Sequence, residues 1–392
     1  MNSKRLDDLV AFSVIDGGPG TEVMKRLRLV RPELGHGSAR TALILAILTW
    51  IPLFVLCVAE GLAFRGVKIP FLYDIFAHVK FLITIPTLVL AEIPIAAALR
   101  GVIRHFVEAP LIDGKDLHRF EDIMFDAQRF RDLRAAELAI LGLSYLLTYM
   151  ALSGHSFLGE STWFRPGAGQ GLTAAGYWYA FVSLPIYLFL IFRWIYRIGV
   201  WTRCLWKISK LNLLLTPIHP DGAGGLAFLG KATRPFGIIL FALSAAISGG
   251  IASRVLFEGA RLEQFQWSYI ALMVFGLAVV GAPLMVFIPM LSRLKRQGLA
   301  QYASAESRYT HAFQRSKIEQ LPAEGQLPDL SEVQTLDSFS NQFERIKDLR
   351  VIPIGLADFI EIAISAIVPG LPLLATVMPL EDIFKSLFKM LV

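Results

Sequence analysis

The sequence has little charge and little cysteine, and it lacks the short motifs of common catalytic and metal sites. Only 18% of its 392 residues are charged, whereas a typical soluble domain has about 25%. This deficit argues against an ordinary soluble enzyme. The two cysteines, Cys57 and Cys204, lie far apart in the sequence and form no CxxC-type metal or redox motif, and they are too few for a disulfide-rich scaffold.

The familiar enzyme motifs are absent or incomplete. Seven histidines are scattered without HxxxH or HExxH spacing, and no GxSxG nucleophile motif occurs. The segment from Gly225 to Ala232 differs from a P-loop because Ala232 stands where a magnesium-binding hydroxyl is needed, and no buried strand precedes it. We therefore expect no metal, no nucleotide and no other cofactor. The sequence favours a protein that is not an enzyme.

Long apolar runs dominate the sequence instead. Hydrophobic residues make up 55% of the chain, and 28 of them are Phe. A helix needs about 20 mostly apolar residues to cross the hydrocarbon layer of a membrane, and seven runs meet or approach that length. These predicted spans 1 to 7 are Thr41–Gly61, Phe81–Val102, Glu137–Ser153, Gly176–Tyr196, Phe236–Phe257, Ser268–Leu291 and Leu356–Leu380. The sequence thus predicts an all-α, polytopic transmembrane helical bundle of about six or seven spans, in contact with the lipid bilayer.

The seventh run is interrupted. Pro369, Gly370 and Pro372 fall within four consecutive residues of it. Proline removes a helical hydrogen bond and clashes with the preceding turn. The run therefore predicts either a kinked span or two half-helices that form a re-entrant hairpin.

Basic residues alternate between the two sides of the predicted bundle. Of the 38 Lys and Arg residues, 30 lie in four segments, namely 1–40, 100–134, 193–234 and 293–350. Because cytoplasmic segments carry the positive excess, these four are predicted to be cytoplasmic, with the N-terminus inside. The net charge of +6 then reflects orientation, and we expect no nucleic-acid partner.

This orientation divides the chain into alternating cytoplasmic and membrane parts. The cytoplasmic parts are residues 1–40, 103–136, 197–235 and 292–355, and the membrane parts are residues 41–102, 137–196, 236–291 and 356–392, the last with an amphipathic tail. Residues 115–134 repeat apolar side chains at helical spacing, which predicts an amphipathic helix. Residues 292–355 predict a helical hairpin.

Glu92 is the carboxylate deepest in an apolar run. It lies near the middle of span 2, between Pro86 and Pro94. An ionised group at mid-helix costs about 2.5–3.5 kcal/mol on insertion scales, so such residues face a bundle interior or water, pair with another group, or stay protonated. Glu92 therefore predicts either a pathway or proton-relay residue, or a protonated carboxyl that hydrogen-bonds a neighbouring helix.

Two further pairs of charged residues lie at the predicted cytoplasmic ends of spans. Asp358 and Glu361, three residues apart near the start of span 7, share a helical face. They are predicted either to line the same pathway or to be solvated. Arg193 and Arg197, at the inner end of span 4, are predicted either to reach the lipid headgroups or to form a lipid or anion site.

The densest polar motif is the predicted cytoplasmic loop that contains His219 and Asp221. Prolines fix its backbone, while Gly222, Gly224 and Gly225 permit positive φ angles. Such a loop can present a titratable pair, or a nest of backbone N–H groups to an anion. The alternative is a tight structural turn.

The same loop resembles one found in a family of uncharacterised multi-pass bacterial membrane proteins. The shared pattern, His-Pro-Asp-x-x-Gly-Gly-Leu, runs from His219 to Leu226. The resemblance implies a location in the bacterial inner membrane, and it carries over no functional residue.

Together these features predict a channel or transporter for a small ion or solute, with an intramembrane carboxylate on its pathway. The alternative is a membrane-embedded regulatory or scaffold protein that acts through its cytoplasmic helices. Small residues between Ala242 and Ser253 in span 5 predict close approach of another helix, inside the bundle or in a second subunit. We expect a homo-oligomer.

Overall fold

The structure, a computed structural model, describes residues 17, 36–109, 111–153, 161–167, 171–315 and 330–374. In these residues all regular structure is helical, and β-pairing is limited to isolated bridges. The α-helices are α1 His36–Ala59, α2 Ile75–His78, α3 Ile85–Leu90, α4 Glu92–Glu108, α5 Leu117–Arg131, α6 Arg134–Ser153, α7 Ala174–Trp178, α8 Leu184–Ile208, α9 Ala227–Lys231, α10 Gly237–Glu258, α11 Gln266–Met285, α12 Ile288–Phe313, α13 Leu330–Lys347, α14 Leu356–Ile367 and α15 Leu371–Leu374.

Seven helical segments of the described residues are long and apolar enough to cross a membrane, which confirms the predicted polytopic helical bundle. Spans 1 to 7 are Gly37–Ala59, Ile75–Glu108, Leu117–Ser153, Ala174–Ile208, Ala227–Glu258, Leu262–Met285 and Leu356–Leu373. Several of them exceed the roughly 20 residues that cross the hydrocarbon layer. Their ends therefore extend into the interfacial regions or beyond.

Spans 2 and 4 each contain a π-helix. In span 2 it is Val79–Thr84, which is followed by Pro86, and in span 4 it is Tyr179–Ser183, which is followed by Pro185. Proline has no N–H to donate to the preceding turn, and the wider π turn changes the hydrogen-bonding register at that point. Each π-helix therefore lies directly before a proline that interrupts the regular α-helical hydrogen bonding.

Span 5 is the most buried of the seven spans. Its small residues let other helices approach closely: Gly249 lies against Val79 of span 2, and Ser244 donates a hydrogen bond to the carbonyl oxygen of Ala366 in span 7. The prediction left open whether this small-residue face lies inside the bundle or at a second subunit. The structure places it inside the bundle.

Span 7 continues through its prolines. A single 3-10 turn, Val368–Gly370, follows α14, and helical φ and ψ angles persist into α15. The chain therefore does not reverse as a re-entrant hairpin would between Leu356 and Leu374. The remainder of the predicted span and the amphipathic tail lie outside the described residues.

The polar helices lie at the predicted cytoplasmic ends of the spans. Helix α5 buries Phe120 and Met124 on its apolar face, as the spacing predicts, and packs against α8. Helices α12 and α13, which lie within the predicted hairpin, pack against each other. The residues that join these two helices, 316–329, lie outside the described part of the chain.

Candidate functional site

Glu92 occupies a break in span 2. Helix α3 ends at Leu90 and α4 begins at Glu92, with Ala91 between them. Because Pro94 has no N–H to donate back across this break, the two helices meet without a continuous hydrogen-bond ladder. The carboxylate of Glu92 therefore lies at the irregular point of the span.

The structure brings Glu92 together with Arg193 and Arg197. The sequence alone predicts separate roles for Glu92 and for the two arginines. Arg197 Nη1 lies 2.8 Å from Glu92 Oε1, and Arg193 Nη1 lies 3.5 Å from the same oxygen. The two arginine side chains are only 8% and 6% exposed, and that of Glu92 is 20% exposed. We call these three side chains the ionic cluster. Its members lie between spans 2 and 4.

Neighbouring contacts hold the cluster in place. Arg193 and Arg197 are four residues apart on α8 and so share one helical face. Trp194 Nε1 donates a hydrogen bond to the carbonyl oxygen of Leu88 at 3.0 Å, one turn before Glu92. At the start of α6, Glu137 interacts electrostatically with Arg193. The guanidinium groups are thus fixed by packing between spans 2 and 4 as well as by the ion pairs.

A buried lysine lies in the same interface between spans 2 and 4. Lys80, in the π-helix of span 2, is 3% exposed and donates a hydrogen bond to the hydroxyl of Tyr179, in the π-helix of span 4, at 2.8 Å. Its ammonium group lies 3.9 Å from the ring centre of Phe76, a cation–π distance. The predicted span 2 starts at Phe81 and leaves Lys80 outside, but the helical segment begins at Ile75 and the Lys80 side chain is buried.

Asp358 and Glu361 form a different contact. Arg234 Nε lies 2.6 Å from Asp358 Oδ1, and Arg234 Nη1 lies 3.2 Å from Glu361 Oε2. The second oxygen of Asp358 accepts the backbone N–H of Gly355 at 2.8 Å. Among the described residues, no hydrogen bond or ion pair joins Asp358 or Glu361 to Glu92. The pair connects the start of span 7 to the start of span 5.

The carboxylate of Asp221 accepts hydrogen bonds from the backbone N–H groups of its own loop, which could otherwise bind an anion. Asp221 Oδ1 accepts the backbone N–H groups of Ala223 at 2.9 Å and Gly225 at 3.1 Å, and Oδ2 accepts that of Ala227 at 3.0 Å. His219 Nδ1 lies 2.9 Å from Asp221 Oδ1. The nest of backbone N–H groups is therefore occupied by a side chain of the same loop.

The loop also docks onto α12 and the segment after α13. Arg350 Nη2 donates to the carbonyl oxygen of Asp221 at 2.7 Å, and the Arg350 N–H donates to that of Gly222 at 2.9 Å. Gly224 has a φ of +68°, and a Cβ there would lie 2.8 Å from the side chain of Leu294. These contacts favour the interpretation of the motif as a structural turn that joins span 4 to α12 and the segment after α13.

Acidification should loosen this loop. Burial acts to raise the pKa of Asp221, but the hydrogen bonds from Ala227, Ala223 and Gly225, with that from His219, outweigh it and hold the pKa below its usual range. Because the folded-state pKa is lowered, the stabilisation is complete above the unfolded-state pKa of about 3.9 and is lost as the pH falls through the lower folded-state value.

We therefore expect hydrogen exchange at the amides of residues 223–227 to speed up as the pH falls below about 4, after correction for the intrinsic exchange rate. In Asp221→Asn the same amides should exchange faster already at pH 7, since the charge-assisted hydrogen bonds are gone. Equal protection in both proteins at pH 7 would contradict the assigned role.

No family model, no curated protein and no solved structure matches this chain. Its class follows from its own fold: the chain is an integral membrane protein, and seven helical segments among its described residues are long and apolar enough to span a membrane. In the ranges that the structure describes, no group of three or more His, Cys, Asp or Glu side chains could hold a metal ion.

Proposed function

We propose that this protein is a channel or transporter for a small ion or solute and that the ionic cluster lies on its pathway. The observation that supports the proposal is the burial of Glu92, Arg193 and Arg197 between two membrane spans. A protein in which well-packed apolar residues replace a buried ion pair is often as stable as the original protein, or more stable. Charged groups inside a membrane mark ion and substrate pathways, which favours a functional reason for keeping them.

The second buried charge extends the proposed route along the same interface. Lys80 and Glu92 are 12 residues apart in span 2, which corresponds to about 18 Å at 1.5 Å per residue. Their partners, Tyr179 and Arg197, are both in span 4. The route would thus run between spans 2 and 4, past Lys80 near one end and the ionic cluster near the other.

The charges along this route favour an anion. Lys80, Arg193 and Arg197 are all less than a tenth exposed, and an electropositive lining attracts anions. An anion that reaches the arginines must compete with Glu92 for their guanidinium groups. In this mechanism Glu92 is the resident counter-ion that the solute displaces and that returns when the solute leaves.

The orientation and location are part of the same proposal. The alternation of basic segments supports a cytoplasmic N-terminus, and the His-Pro-Asp-x-x-Gly-Gly-Leu pattern supports the bacterial inner membrane. The homo-oligomer stays a prediction, since the small-residue face of span 5 that suggested it is covered within the chain.

The proposal is tested by reconstituting the full chain into liposomes and measuring the flux of chloride, nitrate, potassium and sodium. We expect anion flux in the wild type and a reduction of about tenfold or more in Glu92→Gln, a difference of roughly 1.4 kcal/mol in activation free energy. The reason is that Arg193 and Arg197, without their carboxylate, retain the anion.

The matched control is Glu361→Gln, which removes a carboxylate that also pairs with an arginine but is more than half exposed. Its flux should stay close to that of the wild type. Absence of flux for every ion in a folded, reconstituted wild type would contradict the proposal and favour the regulatory or scaffold alternative.

A further inference from the structure

A groove with an arginine at one end lies between spans 3 and 4, away from the ionic cluster. Its volume is about 280 Å³, at the lower edge of the roughly 300–1,000 Å³ typical of small-molecule sites. One wall is formed by α6 and the other by the first turns of span 4, and most of the lining is apolar. The residues that line the groove include Tyr145, Tyr149, Arg165, Tyr177, Ala180 and Phe181.

The two walls are tied together at the π-helix of span 4. The hydroxyl of Tyr145 donates to the carbonyl oxygen of Phe181 at 3.0 Å, and the rings of Tyr177 and Phe181 stack at 6.4 Å. Tyr149, Tyr177 and Phe181 are each more than half exposed on the surface of the bundle. In a membrane protein these rings face lipid, and tyrosines of this kind are enriched at the level of the headgroups.

Arg165 supplies the polar end of the groove. Its Nη2 donates to the carbonyl oxygen of Leu152 at 3.0 Å, near the end of α6. Its Nε is buried and has no hydrogen-bond partner within the described part of the chain. A buried N–H of a charged group that lacks an acceptor costs about 1–3 kcal/mol or more. The groove therefore combines an apolar wall with a donor that needs an anionic or strongly accepting oxygen.

We propose that this groove binds a phospholipid, with its phosphodiester at Arg165 and part of one acyl chain along the aromatic wall. A guanidinium group matches phosphate oxygens in geometry and charge. The position fits a lipid of the surrounding leaflet, because Arg165 lies in the loop between the end of span 3 and the start of span 4. The charge distribution predicts that this is the outer leaflet. The inference is independent of the transport function.

Native mass spectrometry of the detergent-solubilised full chain tests the site, with dioleoylphosphatidylglycerol, dioleoylglycerol and oleate as probes. We expect the wild type to bind the phospholipid, and Arg165→Gln to bind it at least tenfold more weakly. Ala180→Phe, which fills the groove without removing Arg165, should weaken binding to a similar extent. The matched control is Arg65→Gln, which removes an exposed arginine from the preceding loop on the same side and should bind like the wild type.

If Arg165→Gln does not fold, Ala180→Phe alone still tests whether the phospholipid binds in this groove. Phospholipid binding that is unchanged in Arg165→Gln or in Ala180→Phe would overturn the proposal. Equal binding of dioleoylglycerol would overturn it as well, since that probe lacks the phosphate. Full displacement of the phospholipid by an equal concentration of oleate would assign the groove to fatty-acid carboxylates instead.

Discussion

Replacing Glu92 with leucine is expected to lower the free energy of unfolding by about 3–5 kcal/mol. The substitution leaves Arg193 and Arg197 buried without the carboxylate that both of them contact. The cost arises from the two charges that stay out of water and not from lost packing, since leucine fills a similar volume. Unfolding of the purified protein by SDS in mixed micelles measures the change.

A double-mutant cycle separates the ion pair from other effects of the substitution. Arg197→Leu alone should also destabilise the protein, and the double variant Glu92→Leu/Arg197→Leu should be more stable than the sum of the single changes predicts, by up to about 3 kcal/mol. Glu361→Leu is the control, because its exposed carboxylate should contribute less than about 1 kcal/mol. Additive effects of Glu92→Leu and Arg197→Leu would show that the pair contributes no coupling energy.

The membrane spans could be predicted from the sequence because each one depends on local composition. A run of about 20 apolar residues has to form a helix in lipid, where every backbone polar group needs a partner inside the segment. The boundaries were less accurate. Span 2 begins at Ile75 and not at Phe81. Lys80 can lie inside it because its ammonium group donates a hydrogen bond to Tyr179, which is distant in the sequence, and contacts the ring of Phe76 on the preceding turn.

The composition of the ionic cluster could not be predicted from the sequence in the same way. Glu92, Arg193 and Arg197 were each identified as candidates, but their pairing depends on how spans 2 and 4 pack. A signal was present, because a carboxylate in mid-span needs a partner and α8 offers two arginines one turn apart. The partner of Asp358 is Arg234, a residue that no motif or spacing in the sequence indicated.

Gly230→Ala is the second substitution with a large expected effect. Gly230 lies in α9, where the greater helix propensity of alanine alone would stabilise the protein by about 1 kcal/mol. Packing opposes that gain, because a Cβ at this position would lie 2.5 Å from the carbonyl oxygen of Pro353 and 2.8 Å from the Cα of Ile354. These are backbone atoms and cannot turn aside as a side chain would.

The same Cβ would lie 3.1 Å from Asp358 Oδ2, so relief of the clash also displaces the carboxylate that pairs with Arg234. We expect Gly230→Ala to lower the free energy of unfolding by about 3 kcal/mol, the upper end of the usual range for overpacking. Unfolding in mixed micelles measures this change as well. The close approach of α9 to the segment before span 7 is therefore the reason for glycine here, at the position that gave the segment its likeness to a P-loop.

Gly142→Ala is the matched control for this interpretation. Gly142 also lies in a helix, α6, but a Cβ there would meet no atom within 4 Å. Helix propensity then acts without opposition, and the substitution should leave the stability unchanged or raise it by up to about 1 kcal/mol. If Gly230→Ala instead stabilised the protein as much as Gly142→Ala, the segment before span 7 would not be packed against α9 as the structure has it.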